Sequence, residues 1–149
     1  MLSQNHHNCI MTKDARFSSD TLWHQDIRYW SFSDDNLISA WIALGPEFAN
    51  NGGLKVLPGS HLTEFSPSSF DSDLFFRTDF DENKEFLRGE LQITLNAGDV
   101  FLFHSRLLHA ANRNRGDETK LSLVFTYYDE SNSPRKGTRS DNLPPIKVR

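Results

Sequence analysis

Short apolar stretches separated by turn-forming residues run through most of this chain, and they constrain its fold more than any other feature. Residues 37–44 (LISAWIAL) end at Gly45-Pro46, and residues 54–57 (LKVL) lie between an Asn/Gly cluster and a turn that begins at Pro58. The first stretch has room for only a short helix, because Gly45-Pro46 stops it. Many short strands with turns of this kind are typical of an all-β sandwich or barrel.

The strand and turn signals divide the whole chain. The predicted strands cover residues 8–13, 21–29, 37–44, 54–57, 91–95, 100–103, 107–110 and 121–128. Residues 62–90 are charged and rich in phenylalanine without a clean helical period, so we expect a long excursion with at most a short helix, of the kind that often forms an active-site lid. Residues 131–149 contain three prolines and are predicted to be an irregular tail. With 149 residues the chain fits one domain.

Two histidines and one aspartate form the ligand pattern of a metal site. His24 and Asp26 are two positions apart in a predicted strand, so both side chains point to the same side. His109 can reach them from a strand that is distant in sequence but adjacent in a rolled antiparallel sheet. Such a set holds a divalent iron and leaves positions open for substrates and O₂. The His-x-Asp triplet alone is common by chance, and the alternative is an exposed histidine beside an unrelated aspartate.

Composition argues against several function classes. The net charge is −4 and the basic residues are scattered, which disfavours nucleic-acid binding. No apolar run approaches the roughly 20 residues that cross a bilayer, and the N-terminus lacks the basic and apolar regions of a signal peptide. Cys9 is the only cysteine, so we expect a small core thiol, a reducing compartment and a cytoplasmic location.

Four motifs follow one another along the chain: residues 23–26 (WHQD), 51–61 (NGGLKVLPGSH), 98–109 (GDVFLFHSRLLH) and 119–123 (TKLSL). Their order and spacing resemble the phytanoyl-CoA dioxygenase family of Fe(II)/2-oxoglutarate-dependent oxygenases. The resemblance implies a double-stranded β-helix, which is a cupin-like jelly roll, with few or no helices. It also implies that His24, Asp26 and His109 bind the iron and form the catalytic centre.

The resemblance implies further roles around this centre. Lys120, eleven positions after His109, stands where the family holds 2-oxoglutarate with a basic residue that is more often arginine. Lysine can pair with a carboxylate but lacks the bidentate fork of arginine. Lys13 matches a lysine that contacts 2-oxoglutarate in some members, the ectoine hydroxylases among them. Trp30 stands where ectoine hydroxylases place a substrate-contacting aromatic residue, and Trp41 lies near a position that lines the co-substrate pocket in some members.

Several of these residues have structural alternatives. His104 competes with His109 as the third ligand, and the two would face opposite ways in an unbroken strand. The resemblance selects His109. His61 is predicted to be structural, and His6 and His7 to be exposed near the N-terminus. The alternatives for the other side chains are core packing for Trp30 and Trp41, and solvation for Lys13 and Lys120.

The function implied by the resemblance is the hydroxylation of a small organic substrate, with consumption of O₂ and decarboxylation of 2-oxoglutarate to succinate. Asp26 favours hydroxylation, since halogenating members replace this carboxylate by a small residue. One alternative is a metal-binding jelly roll without turnover, a truncated or inactive relative. It is motivated by Lys120 and by Ala111, which stands where the family often has a hydroxyl residue. A cupin-type isomerase or binding protein is a third and weaker alternative.

Only 23 residues precede His24, whereas members of the family usually have a longer N-terminal region there. That region normally covers one face of the jelly roll. We therefore expect either a fragment or a homo-oligomer in which a second copy covers an exposed apolar sheet face.

Overall fold

Two antiparallel sheets form most of the fold. The computed structural model describes residues 1–148. Within them the strands are β1 (Cys9–Lys13), β2 (Thr21–His24), β3 (Leu37–Ala43), β4 (Leu54–Val56), β5 (Leu91–Gln92), β6 (Val100–His104), β7 (His109–Ala111) and β8 (Lys120–Tyr128). One sheet has the order β1-β8-β3-β6 and the other the order β2-β7-β4-β5. The predicted all-β jelly roll is confirmed. None of the helices in residues 1–148 has the length and hydropathy of a membrane span.

Alternate side chains of strand β8 fill the space between the two sheets. Every second residue from Lys120 to Tyr128 is buried, while the residues between them are exposed or half-buried. Successive side chains of a strand point to opposite faces, so the buried set faces the other sheet. At its centre, Val124 packs in a core cluster with Trp41, Phe103, Leu54 and Val56, which come from both sheets.

Some strand boundaries differ from the prediction. β2 ends at His24, because residues Asp26–Tyr29 form a 3₁₀ turn in which the Arg28 N–H donates to the Gln25 carbonyl over 3.2 Å. The prediction of one strand over residues 21–29 is therefore wrong beyond His24. Residues 91–95 pair as a strand only over Leu91–Gln92, and β7 begins at His109 rather than at residue 107.

Residues 62–90 pack against the second sheet instead of forming an open loop. They contain the short helix α1 (Asp81–Leu87). The ring of Phe65 lies 5.1 Å from that of Phe76 and 4.9 Å from that of Phe86. Phe76 in turn packs with Trp23 of β2, and its N–H donates to the Trp23 carbonyl over 2.8 Å. The phenylalanines of this segment therefore act as its core.

The N-terminal segment is fixed by residues 131–148. Leu2 and Ile146 exchange backbone hydrogen bonds of 2.8 and 2.9 Å. A 3₁₀ turn over Arg139–Asp141 places the Ser140 hydroxyl 2.7 Å from His6 Nε2. These contacts hold residues 6 and 7 next to the space between the sheets.

The face of the first sheet that points away from the second is apolar and exposed. Ile10, Val100, Leu102 and Leu121 are 58%, 53%, 63% and 40% exposed. These side chains belong to β1, β6 and β8, so the apolar surface extends across the sheet.

Candidate metal centre

Three potential ligands meet between the two sheets. His24 is the last residue of β2 and His109 the first of β7, and the two are directly opposed in the antiparallel register. Their rings lie 4.3 Å apart. Asp26 enters from the 3₁₀ turn after β2, because Gln25 is extended (φ −110°, ψ 136°) and returns residue 26 to the side of His24. All three side chains are buried, and one ligand atom from each lies within 4.8 Å of the others.

Backbone carbonyls fix the tautomers of both histidines. His24 Nδ1 lies 2.8 Å from the Leu22 carbonyl oxygen, and His109 Nδ1 lies 3.0 Å from that of Leu107. A carbonyl oxygen only accepts hydrogen bonds, so each Nδ1 carries the proton. Each neutral ring therefore presents the lone pair of Nε2. This use of Nδ1 is the usual way in which a protein orients a metal-binding imidazole.

The Asp26 carboxylate completes a site that suits a cation. Its Oδ1 lies 3.8 Å from His24 Nε2 and 3.5 Å from His109 Nε2. Among residues 1–148 no donor reaches this buried oxygen. The Ser39 hydroxyl donates to Oδ2 over 2.8 Å and orients the group. A buried carboxylate oxygen and two imidazole lone pairs without a shared donor require a positive charge, and their number and type fit a divalent metal.

The electrostatics keep His24 available as a ligand. Burial, together with the neighbouring His109, lowers the pKa of His24 from 6.5 to about 4. The ring is therefore neutral at physiological pH. A metal binds the neutral form of imidazole, so proton competition at this ligand is weak.

The competing histidine lies elsewhere. His104 Nδ1 accepts the Arg106 N–H over 3.1 Å, and its ring lies 5.8 Å from that of His61. Neither ring belongs to the group of His24, Asp26 and His109. Residues 105–108 form a turn between β6 and β7, in which the Leu107 N–H donates to the His104 carbonyl over 2.9 Å. His104 and His109 therefore lie in different strands, and the alternation of side chains along one strand does not predict their relative orientation.

A small cavity of about 130 Å³ extends from the three ligands into the core. Lys13 and Lys120 line it, and these residues are directly opposed at the ends of β1 and β8. Trp41 also lines it, and the Lys120 ammonium lies 4.9 Å from the centre of the Trp41 ring. Ala111 contributes a methyl group to the wall. The structure thus brings both predicted lysines and Trp41 to one cavity beside the metal-ligand group.

The two lysines differ in their partners. Lys13 Nζ donates to the Ser19 carbonyl over 2.6 Å and to the Thr21 hydroxyl over 2.8 Å. Lys120 Nζ donates to a Glu47 carboxylate oxygen over 3.1 Å and to the Ser122 hydroxyl over 2.9 Å. Burial lowers the pKa of Lys120, while the adjacent Glu47 opposes this effect. Lysine has three N–H donors, so each ammonium group keeps one for a ligand in the cavity.

A larger and more open cavity of about 540 Å³ adjoins the other side of His24. Tyr29, Trp30 and Phe75 line it with aromatic surface, and Arg139 lies at its edge. Trp30 is buried, and its ring lies 5.3 Å from that of His7. The sequence-predicted substrate contact therefore lies in a cavity that reaches the metal-ligand group.

Three residues at the site were not predicted from the sequence. Ser39 binds Asp26, Glu47 binds Lys120, and His7 Nδ1 lies 3.4 Å from Asp26 Oδ2. The prediction that His6 and His7 are exposed is wrong, since His6 is only 4% exposed and contacts the Ser140 hydroxyl of the C-terminal segment, and His7 is half-buried. These contacts join residues far apart in the chain, so no local pattern indicates them.

Cys9 also departs from the prediction. We expected a small core residue, but the thiol is exposed, because β1 lies at the edge of its sheet and its burial pattern is open until Lys13.

Comparison with known proteins gives a consistent family. A family model described as phytanoyl-CoA dioxygenase (PhyH) matches residues 1–122. The peroxisomal phytanoyl-CoA dioxygenase of Homo sapiens is 31% identical over 130 residues, which cover 80% of this chain and 37% of that protein. A probable alpha-ketoglutarate-dependent hypophosphite dioxygenase of Stutzerimonas stutzeri is 29% identical over 126 residues, covering 81% of this chain and 44% of that protein. The chain thus spans less than half the length of either relative.

A solved structure shares the fold. The epimerase SnoN, in complex with Fe³⁺, alpha ketoglutarate and nogalamycin RO, superposes with a TM-score of 0.72 at 24% identity. The match covers 94% of this chain and 56% of that one. At this identity the likeness supports the jelly-roll architecture.

Proposed function

The chain belongs to the phytanoyl-CoA dioxygenase family, and we propose that it is an Fe(II)/2-oxoglutarate-dependent dioxygenase that hydroxylates a small organic molecule. The observation that carries this proposal is the buried convergence of His24 Nε2, His109 Nε2 and Asp26 Oδ1, which has no hydrogen-bond partner among residues 1–148. Membership of the family selects iron among the divalent metals that such a set accepts.

His24, Asp26 and His109 would hold the iron. When bound, the iron supplies the redox chemistry by which O₂ and 2-oxoglutarate oxidise the substrate, and the protein supplies binding and orientation. In the balanced reaction a C–H bond, O₂ and 2-oxoglutarate become C–OH, succinate and CO₂. One oxygen atom enters the hydroxyl group and the other enters succinate.

Lys120 and Lys13 would bind the far carboxylate of 2-oxoglutarate. Both line the small cavity that starts at the ligand group, and each has one N–H donor left. Trp41 adds apolar surface to the same cavity. This geometry would leave the oxo-acid end of the co-substrate near the iron, and the apolar walls would exclude water.

The larger cavity on the other side of His24 would receive the substrate. Trp30 and its aromatic neighbours offer flat apolar surface, and Arg139 and Asp20 offer charge at the rim. This composition suits a molecule with an apolar body and a polar end. Trp30 would position the C–H bond, with His7 between it and Asp26.

Turnover of 2-oxoglutarate tests the proposal without knowledge of the substrate. We expect the iron-loaded protein to form succinate in the presence of O₂, and Asp26→Ala to lose this reaction. Asp79→Ala changes an exposed carboxylate away from the site and serves as the matched control. Succinate formation that survives in Asp26→Ala, or is absent from the iron-loaded wild type, would refute the proposal.

One observation favours a second candidate, a metal-binding jelly roll without turnover. Lys120 is already paired with the Glu47 carboxylate, which offsets the positive charge that would otherwise attract the co-substrate. This candidate requires iron binding without 2-oxoglutarate binding. The two are therefore separated by titrating the iron-loaded protein with the co-substrate.

We further propose that a second copy of the chain covers the exposed apolar face of the β1-β8-β3-β6 sheet. The outward residues of its central strands carry no charge: Leu121, Leu123, Phe125 and Tyr127 on β8, and Ile38, Ala40 and Ile42 on β3. A surface of this kind is self-complementary, since it pairs with its copy without burying a charge.

The proposed location remains the cytoplasm. The single cysteine, which fits a reducing compartment, supports it, whereas the human relative is described as peroxisomal. Fractionation of source cells with markers for both compartments would decide between the two.

A further inference from the structure

Glu47 is a buried carboxylate that bonds to the wall of the proposed co-substrate pocket without lining it. Glu47 is 0% exposed and does not line the cavity. Its oxygens accept hydrogen bonds from the Trp41 indole N–H (3.0 and 3.1 Å), the Ser122 hydroxyl (2.6 Å) and Lys120 Nζ (3.1 Å). Trp41 and Lys120 line the cavity, and Ser122 holds Lys120, so each of these hydrogen bonds supports the cavity wall.

A buried ion pair is weak evidence for a role in stability. Removing two charges from water is costly, and well-packed apolar residues often replace such pairs without loss. The surrounding core is apolar, with Trp41, Leu54 and Phe103 in one cluster. A pair that is retained in such surroundings suggests that the charge itself is used.

The charges at the end of the cavity match one incoming carboxylate. Lys13 and Lys120 are opposed in the register of β1 and β8, so their positive charges repel. Glu47 balances one of them, and two ammonium groups with one carboxylate leave a single positive charge. The exposed Asp20 is engaged by Arg113, whose backbone N–H donates to it over 2.7 Å.

Glu47 also determines where the Lys120 ammonium lies. Lys120, Ser122 and Glu47 form a closed set of hydrogen bonds, and the Trp41 ring covers the ammonium group at 4.9 Å. A flexible lysine side chain loses much conformational freedom when it is fixed. Glu47 removes that cost before a ligand arrives, and it leaves one N–H of Lys120 for the cavity.

We propose that Glu47 is a positioning residue that holds the Lys120 ammonium charged and aimed at the far carboxylate of the 2-oxo acid. The effect of Glu47 is therefore confined to 2-oxo acids that carry a far carboxylate. This inference rests on the proposed function, since it concerns the same pocket.

The test compares two probes that differ only at the far end. 2-Oxoglutarate carries the far carboxylate, and 2-oxopentanoate has a methyl group in its place. Dissociation constants are measured anaerobically on the full chain loaded with Fe(II), from the visible absorption of the complex. We expect Glu47→Gln to weaken 2-oxoglutarate binding by about 10- to 100-fold, and 2-oxopentanoate binding by less than about twofold.

Matched variants separate positioning from folding. Glu90→Gln neutralises an ion pair with Lys55 (3.2 Å) outside the cavity and leaves both constants unchanged. In Lys120→Met, addition of Glu47→Gln has no further effect on 2-oxoglutarate. Should Glu47→Gln fail to fold, Glu47→Asp keeps the charge at a greater distance from Lys120 and gives a smaller loss that is again confined to 2-oxoglutarate.

Three results overturn the inference. Equal weakening of both probes indicates a structural role only, and unchanged or tighter binding of 2-oxoglutarate in Glu47→Gln shows that Glu47 does not help to position Lys120. If the wild type binds neither probe, the proposed function fails together with the inference. Wild-type binding without a selective effect of Glu47 overturns the inference alone.

Discussion

The Ser39 hydroxyl orients the Asp26 carboxylate, and its removal should weaken metal binding without disturbing the fold. Ser39→Ala deletes one hydroxyl at the centre of β3, where the residue is 0% exposed. The lost hydrogen bond is 2.8 Å long and ends on a buried carboxylate that is also 0% exposed. Water cannot readily replace it, because neither side chain is accessible to solvent.

The expected losses of stability and of metal affinity follow from the burial of this hydrogen bond. A hydrogen bond to a charged group contributes about 1.5–3 kcal/mol to stability, and loss of a partner that orients a metal ligand weakens metal affinity by about 10- to 100-fold. We expect both effects in Ser39→Ala. The dissociation constant for Fe(II) is measured anaerobically by competition with a chelator, and the free energy of unfolding by denaturant titration of the metal-free protein.

Thr126 provides the matched control. It is directly opposite Ser39 in the β3–β8 register and equally buried. Within residues 1–148 its hydroxyl has no hydrogen-bond partner. Thr126→Val should leave iron affinity within about twofold of the wild type, because an unpaired buried hydroxyl contributes nothing to the site. Unchanged affinity in Ser39→Ala, or an equal loss in Thr126→Val, would show that the Ser39 hydroxyl does not orient Asp26 for the metal.

Three further predictions concern pH, the co-substrate and the exposed sheet face. The metal-free protein should lose stability as pH falls from 6.5 toward 4, because His24 and His6 both have folded pKa values of about 4 and take up protons more readily when unfolded; a stability that is flat across this window in denaturant titrations would contradict the neutral, buried state of these two rings. Lys13→Met should weaken 2-oxoglutarate binding by about tenfold and leave iron affinity unchanged, as measured by calorimetry, and a parallel loss of iron would show that Lys13 supports the fold instead. Leu102→Lys places a charge on a side chain that is 63% exposed, and sedimentation should show a shift from dimer to monomer; a wild type that is already monomeric would contradict the proposed self-association.

Much of the architecture follows from local patterns in the sequence. The strand ending at residue 43 was predictable, because Gly45-Pro46 stops it, and β8 was predictable from its run of β-branched and aromatic residues. The predicted strand over 21–29 is wrong beyond His24, because tertiary contacts favour a 3₁₀ turn over Asp26–Tyr29. One such contact is the hydrogen bond from the Ile27 N–H to the Ser105 carbonyl (3.1 Å). The extended Gln25 still preserves the relation between His24 and Asp26 on which the motif depends.

The surroundings of the site were less predictable. Glu47 follows Gly45-Pro46 in what reads as a polar turn, yet its bond to Ser122 spans 75 positions. His7 reads as an ordinary terminal residue, and it reaches Asp26 only because residues 131–148 hold the N-terminal segment in place. Contacts between distant parts of the chain leave no periodicity, so a single sequence indicates the ligands but not the residues that orient them.

We propose that His24, Asp26 and His109 form an iron site next to a 2-oxoglutarate pocket. The most direct measurement is an anaerobic titration with Fe(II) and then 2-oxoglutarate, following the weak visible band of the complex. The band should appear in the wild type and in His104→Ala, and it should be absent from His109→Ala, which no longer retains iron. A wild type that gives no band, or a His109→Ala variant that gives the full band, would contradict the account.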